Sequence, residues 1–300
     1  MIMQMQTRLL AALAVLFAAS AFPATQPPFS EPSLSPDGRT IAFVSGGDIW
    51  TVPLAGGDAR LLVANPATES RPLFSPDGKS LAFVSTRTGN GDIYVLDLTT
   101  GDTRRVTFDD VREMLDGWSR DGKWIYFSSN SGEADSGAAD IWRIPSAGGT
   151  PMPVTNEPMM YEYFAAPSPD GSSVAFVASG FANNQWWRKG HSHMDESQIF
   201  VVDENHHYTA ITDDGAKQLW PMWSPDGKRI FYVSDRSGSD NIWSILHGSH
   251  EPQKLTSFTS GRVIWPSIGN DERFLSLLSP QPIVENDFSS IHHCDFWAAR

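Results

Sequence analysis

The phrase Ser-Pro-Asp-Gly, copied along the chain, restricts the fold more than any other feature. It stands at Ser35-Pro36-Asp37-Gly38, Ser75-Pro76-Asp77-Gly78, Ser168-Pro169-Asp170-Gly171 and Ser224-Pro225-Asp226-Gly227, with a near copy at Ser119-Arg120-Asp121-Gly122. The aspartates Asp37, Asp77, Asp121, Asp170 and Asp226 follow one another at 40, 44, 49 and 56 residues. A fixed phrase at a growing period means one structural unit repeated with loops of increasing length. Within the phrase, proline presets φ at the second turn position, aspartate tolerates the third, and glycine takes the positive φ that ends the turn.

The flanking residues identify the unit. Leu34, Phe74, Trp118 and Trp223 precede the phrase, with Pro167 the exception. A short β-rich run follows it: Ile41-Ala42-Phe43-Val44, Leu81-Ala82-Phe83-Val84, Ile125-Tyr126-Phe127, Val174-Ala175-Phe176-Val177 and Ile230-Phe231-Tyr232-Val233. A third strand is marked by a polar residue, an isoleucine and an aromatic: Asp48-Ile49-Trp50, Asp92-Ile93-Tyr94, Asp140-Ile141-Trp142, Gln198-Ile199-Phe200 and Asn241-Ile242-Trp243. Turns such as Ala55-Gly56-Gly57 and Thr100-Gly101-Asp102 lead to a fourth strand, ending in Val106-Thr107, Val154-Thr155, Ile211-Thr212 or Leu255-Thr256. Four antiparallel strands per repeat form a propeller blade, and blades bury their faces by stacking around an axis. The fold class is therefore all-β: a β-propeller of four-stranded blades, five of them clear, plus an incomplete or divergent sixth. The only helical expectation beyond the N-terminal segment is a turn or two between Asp109 and Leu115.

Composition narrows the function. Among 300 residues, Lys+Arg number 22 against 35 Asp+Glu, a net charge of −13. That excess repels phosphate backbones and anionic lipid, which argues against nucleic acid and a membrane-surface role. The single cysteine, Cys294, excludes an internal disulfide and a thiolate zinc cage. Residues 1–21 read as a secretory signal: Arg8, an apolar run from Leu9 to Phe17, and the small-residue site Ala19-Ser20-Ala21, with a second cleavage position at 24. The apolar run is short for a bilayer core of about 30 Å. A periplasmic or extracellular location is expected, with no membrane span after cleavage.

The run from Phe74 through Ser85, followed by Asp92-Ile93-Tyr94-Val95-Leu96-Asp97-Leu98, resembles the WD-like repeats of TolB and of tricorn-type proteases. The resemblance covers about residues 30–268. The insertion Asn184-Gln185-Trp186-Trp187-Arg188-Lys189-Gly190 is similar to one in the first, six-bladed propeller of tricorn protease homologs. Arg262-Val263-Ile264-Trp265-Pro266-Ser267 is similar to the opening of that propeller's last blade. The resemblance implies the N-terminal propeller region of an exported serine peptidase, truncated before interaction and catalytic domains that would lie beyond this chain. It implies a peptide or protein partner, no cofactor, and room for an oligomer in the full-length parent. Residues 25–271 are assigned to the propeller and 272–300 to a divergent tail. After Ser267 the family pattern asks for an Asp-Gly turn, whereas the chain reads Ile268-Gly269-Asn270-Asp271-Glu272-Arg273-Phe274. A shifted reading frame after about Asp271 would produce this, as would a divergent closing blade.

No catalytic residue is assigned. No G-x-S-x-G elbow occurs, and no glycine-rich phosphate loop precedes a helix. His191-Ser192-His193-Met194-Asp195-Glu196 approaches an H-x-H-x-D-H metal motif, but Glu196 stands where histidine is needed. These histidines and His206-His207 are read as solvated loop residues, and no metal site is assigned. Trp186, Trp187, Arg188 and Lys189 are the candidate binding residues, as a lip gripping peptide with indole and guanidinium groups. The plainer reading packs the indoles on the propeller and leaves the cations in water. Asp48, Asp92, Asp140, Asp109-Asp110, Asp213-Asp214 and Glu162 are read as turn and strand-end hydrogen-bonders. Two alternatives stay open: a TolB-like periplasmic protein-binding module, and the propeller region of a metal-dependent amidohydrolase fusion.

Overall fold

The turn phrase works through its serine. In each copy the Ser Oγ donates to the Asp Oδ1 two residues on, at 2.6 Å for Ser35, Ser75, Ser168 and Ser224 and 2.7 Å for Ser119. The same oxygen accepts the N–H five residues on, as from Ser80 N at 2.9 Å. The glycine N–H closes the turn on the serine carbonyl, as Gly78 N to Ser75 O at 2.9 Å. A buried hydroxyl so placed organises a hairpin that would otherwise leave several backbone groups unpaired.

In the computed structural model, residues 29–131, 138–157, 160–180 and 197–269 are described, together with the backbone of 274–279 and 295–299. The hairpins build five four-stranded antiparallel blades. Blade 1 holds β1 (Phe29–Leu34), β2 (Thr40–Ser45), β3 (Asp48–Pro53) and β4 (Arg60–Val63). Blade 2 holds β5 (Glu69–Phe74), β6 (Ser80–Ser85), β7 (Asp92–Asp97) and β8 (Thr103–Arg105). Blade 3 holds β9 (Glu113–Trp118), β10 (Trp124–Ser129), β11 (Asp140–Pro145) and β12 (Met152–Pro153). Blade 4 holds β13 (Met160–Pro167), β14 (Ser173–Gly180), β15 (Ser197–Asp203) and β16 (Tyr208–Ala210). Blade 5 holds β17 (Gln218–Trp223), β18 (Arg229–Ser234), β19 (Asn241–Leu246) and β20 (Gln253–Lys254). A three-stranded sheet follows: β21 (Arg262–Ile268), β22 (Phe274–Ser279) and β23 (Asp295–Ala299). The first strand of each sheet meets the first strand of the next, and β21 also meets β1, so the inner strands form a ring.

Packing explains why the second strands are apolar throughout rather than alternating. In β6, Leu81 and Phe83 join the core between blades 1 and 2, while Ala82 and Val84 join the core between blades 2 and 3. A strand covered on both faces needs apolar residues at every position. In β18, likewise, Ile230 and Tyr232 face the blade 4 side while Phe231 and Val233 face the β21 side. Phe83 and Phe176 are fully buried, and each such burial stabilises by about 2–3 kcal/mol.

Two local expectations change. No helix forms at 109–115: Glu113 opens β9, and its carboxylate accepts from Thr107 Oγ1. The Val-Thr doublets lie just beyond the fourth strands rather than ending them. Their threonine hydroxyls take over from backbone pairing, accepting the N–H of the third-strand isoleucine: Ile93 to Thr107 and Ile141 to Thr155 at 2.8 Å, Ile199 to Thr212 and Ile242 to Thr256 at 2.9 Å.

Candidate functional site: the axial funnel

Four inner strands carry a bulge four residues before the serine of the turn phrase. Register breaks there in β1, β5, β13 and β17, between Ser30/Ser33, Ser70/Leu73, Tyr163/Ala166 and Leu219/Met222. The bulged residue adopts left-handed φ although it is not glycine: Glu31 at 53°, Arg71 at 53°, Phe164 at 56° and Trp220 at 51°. Trp265 in β21 joins them at 53°. Bulky residues avoid this region, at a cost of about 1–3 kcal/mol each, and such strain gathers at functional sites. Here the bulges turn five side chains toward the axis. Blade 3 differs: no residue of β9 is left-handed, Gly117 follows the bulge, and Asp116 presents the side chain instead. A Cβ on Gly117 would rest against Ala165 O at 3.4 Å and the Pro167 ring at 3.6 Å, so β9 runs close to blade 4 here.

These side chains meet across the ring. The Arg71 guanidinium, from blade 2, lies 4.5 Å from the Trp265 ring centroid and 6.0 Å from that of Phe164 in blade 4. Its Nε donates to Leu115 O in blade 3 at 2.9 Å, and its backbone N–H donates to Glu31 Oε2 in blade 1. Phe164 stacks on Trp220 at 5.1 Å, and Trp265 packs 5.8 Å from Trp220 and 6.2 Å from Phe164. Contacts between blades 2 and 4, and between blade 2 and β21, skip the sheets between them. The axis is therefore plugged at this level.

Above the plug, toward the turn phrases, lies a cavity of about 310 Å³. Its wall is proline and aromatic: Pro36, Pro76, Pro169 and Pro225 from the turns, with Trp118 and Trp223 between them. Trp118 Nε1 donates to Leu73 O at 3.1 Å and Trp223 Nε1 to Ala166 O at 3.0 Å, so each indole bridges to the preceding blade. Turns also touch: a Cβ on Gly78 would contact the Pro36 ring at 3.8 Å, and one on Gly227 the Pro169 ring at 3.7 Å.

The floor is charged. Burial pushes the Glu31 carboxyl up, against the lowering pull of Arg71 and Arg112. Burial likewise pushes Asp116 up to about 7, although Ser128 Oγ donates to it and Arg71 stands nearby. Desolvation lowers Arg71, with Glu31 and Asp116 pulling the other way. Asp116 Oδ1 is enclosed and makes no hydrogen bond.

The far end of the inner strands is acidic as well. Glu69 is held by Ser85 at 3.1 Å and by the Arg87 guanidinium at 2.9 Å, yet burial raises it. Glu113 and Glu162 are each raised to about 8, again chiefly by burial. Neither carboxylate oxygen of Glu162 makes a hydrogen bond. Asp92 pairs with Arg105 at 2.7 Å, and Asp48 Oδ1 accepts from Asn65 N at 3.4 Å. His207 lies 3.3 Å from Asp203 in an exposed turn. Among the described residues no three His, Cys, Asp or Glu side chains gather as a metal site.

The signal segment and the insertion with Trp186, Trp187, Arg188, Lys189 and the His191–Glu196 run lie outside the described residues. The insertion leaves β14 at Gly180 and returns at Ser197; Gly180 pairs with Met160, at the opposite end of the blade from the turn phrase. Sequence reasoning missed Glu31, Arg71, Asp116, Phe164, Trp220 and Trp265. A signal existed: four residues before each turn serine the chain reads Glu, Arg, Leu, Phe, Trp, a column that varies while the turn phrase after it recurs.

Five antiparallel four-stranded blades ringed about an axis make this a β-propeller protein. The sequence profile of the tricorn protease N-terminal beta propeller domain matches residues 26–273, and the chain belongs to that family. It is similar to the crystal structure of the tricorn protease, with TM-score 0.69 and 20% identity, covering 90% of this chain and 26% of that one. It is also similar to a putative TolB from Agrobacterium tumefaciens, with TM-score 0.60 and 20% identity, covering 80% of this chain and 84% of that one. An uncharacterized protein of Agrobacterium fabrum is 30% identical over 132 residues, 44% of this chain and 40% of the relative. The chain thus spans less than half the length of that relative and about a quarter of the tricorn protease. Among the described residues no helix is long and apolar enough to cross a membrane.

Proposed function

We propose that this propeller binds peptide or unfolded protein segments in its axial funnel, as the N-terminal domain of an exported tricorn-like serine peptidase. The observation that carries the reading is the ring of left-handed, non-glycine residues aimed at one proline- and aromatic-walled cavity. Rigid strands hold these groups at fixed spacing, and enclosed apolar walls with few polar groups are what a peptide side chain needs. Because side chains from non-adjacent sheets close the axis, the funnel receives a chain segment rather than passing it through. Hydrolysis would belong to domains beyond these residues, and the N-terminal segment with Arg8 and Leu9–Phe17 would direct export.

Photo-crosslinking tests this. A mixed-sequence hexapeptide pool bearing benzophenone should label Met222, Leu34 and Leu73 around the funnel, located by mass spectrometry. Labelling confined to the outer strands β4, β8, β12 and β16 would refute it. A second reading, a TolB-like protein-binding module without a peptidase, is favoured by the 84% coverage of the putative TolB chain. It predicts the same labelling but a folded protein partner.

A further inference from the structure

We propose that the funnel selects a basic side chain, lysine or arginine, of the bound peptide, with Glu31 as its acceptor. The inference rests on the peptide reading above and adds which side chain is chosen. The wall suits the guest's stem: Pro32, Pro72, Trp118 and Trp223 line the cavity above the charged floor, and long cationic side chains lay their methylenes along such surfaces.

The floor suits the guest's head. Two carboxylates, Glu31 and Asp116, line the cavity with the Arg71 guanidinium between them and Arg120 nearer the rim. The Arg71 guanidinium is already committed, through Nε to Leu115 O and by its position over the Trp265 ring. Asp116 Oδ1 is enclosed and makes no hydrogen bond, so the floor keeps an acceptor that Arg71 does not fill and a guest cation would. Burial keeps both carboxyls above their ordinary range, and a cation brought beside them would favour their charged forms. The aromatic plug tolerates positive charge, since Arg71 rests on it. The groups facing Asp116 are Arg71, the Ser128 hydroxyl and the Phe164 and Ala165 N–H groups; Arg71 and Arg112 act on Glu31, and Arg120 lies on the rim.

Calorimetric titration of the full chain with three peptides, blocked at both ends, tests the inference: acetyl-Pro-Lys-Pro-amide and its norleucine and glutamate counterparts. The lysine peptide should bind at least about tenfold tighter than the norleucine peptide, the scale of one buried charge-assisted hydrogen bond. Glu31→Gln keeps an acceptor for the Arg71 N–H and should abolish the lysine peptide's advantage over the norleucine peptide. Asp116→Asn is the second variant, expected to reduce the advantage, should Glu31→Gln fail to fold. Raising the pH from 6 to 8 ionises Asp116 and should widen it. Equal affinity for lysine and norleucine peptides overturns the inference and leaves the peptide reading standing. Tightest binding of the glutamate peptide overturns it in favour of Arg71 as an anion receptor. No binding of any of the three removes both together.

Discussion

Two rings circle the same axis four residues apart, and they obey opposite rules. In the turn ring the residues repeat: serine, aspartate and glycine hold the same bonds in all five blades. In the floor ring the backbone repeats but the residues do not, reading Glu31, Arg71, Phe164, Trp220 and Trp265 in one strained conformation. The turn residues recur because every blade needs the same hairpin. The floor residues differ because they meet one another at the centre, where each has a separate partner. Repetition marks the scaffold, and its interruption marks the site.

The contrast can be broken by substitution, and the largest effect is expected at the floor. Arg71→Ala leaves Glu31 and Asp116 facing each other without their shared cation. Breaking a buried charge pair on one side costs about 3–5 kcal/mol, read as a lower midpoint in urea denaturation. A loss under about 1 kcal/mol would mean that the floor is open to water. Ser75→Ala and Ser224→Ala come next, at about 1–3 kcal/mol each, because each strands a backbone N–H and a carboxylate oxygen. The two losses should be alike, since the ring is uniform.

A smaller, pH-dependent effect belongs to the far end of the strands. Glu162 is raised to about 8 from 4.5, so the folded chain holds a proton that the unfolded chain gives up. Stability from this group is full below about pH 4.5 and declines as pH rises toward 8. Glu162→Gln should lessen that decline in thermal melts between pH 5 and 8; Glu113 contributes a slope of the same sign. A variant whose slope matches the unmodified chain would show that Glu162 is ionised in the fold. The least effect is expected from Asp77→Asn at the exposed rim. Hydrogen bonds from Ser75 and Lys79 N lower Asp77 below 3.8, so its contribution is present above that pH and fades in more acidic solution. The cost should be smaller than that of Ser75→Ala and should shrink as the pH is lowered below 3.8.

Much of the propeller was legible because local chemistry writes it. A turn phrase, an apolar second strand and a Val-Thr stop recur within about 50 residues, and each has a near-sequence cause. The expected helix at 109–115 failed because Glu113 serves the seam with Thr107, a use that local periodicity does not reveal. The floor was illegible for a related reason. Arg71 meets Phe164 and Trp265 from blades 93 and 194 residues further along the chain, and no local pattern encodes such contacts. The insertion with Trp186 and Arg188 drew notice as the densest aromatic and basic run, yet its flanks Gly180 and Ser197 stand at the end of blade 4 away from the funnel.

Met222 offers the most direct measurement, because it lines the funnel while Met152 lies in the outer strand β12. With methyl-labelled methionine, addition of acetyl-Pro-Lys-Pro-amide should shift the Met222 resonance, assigned through Met222→Leu, and leave that of Met152 in place. A shift at Met152 with Met222 unmoved would contradict the account, placing recognition on the blade rims and leaving the strained floor as architecture alone.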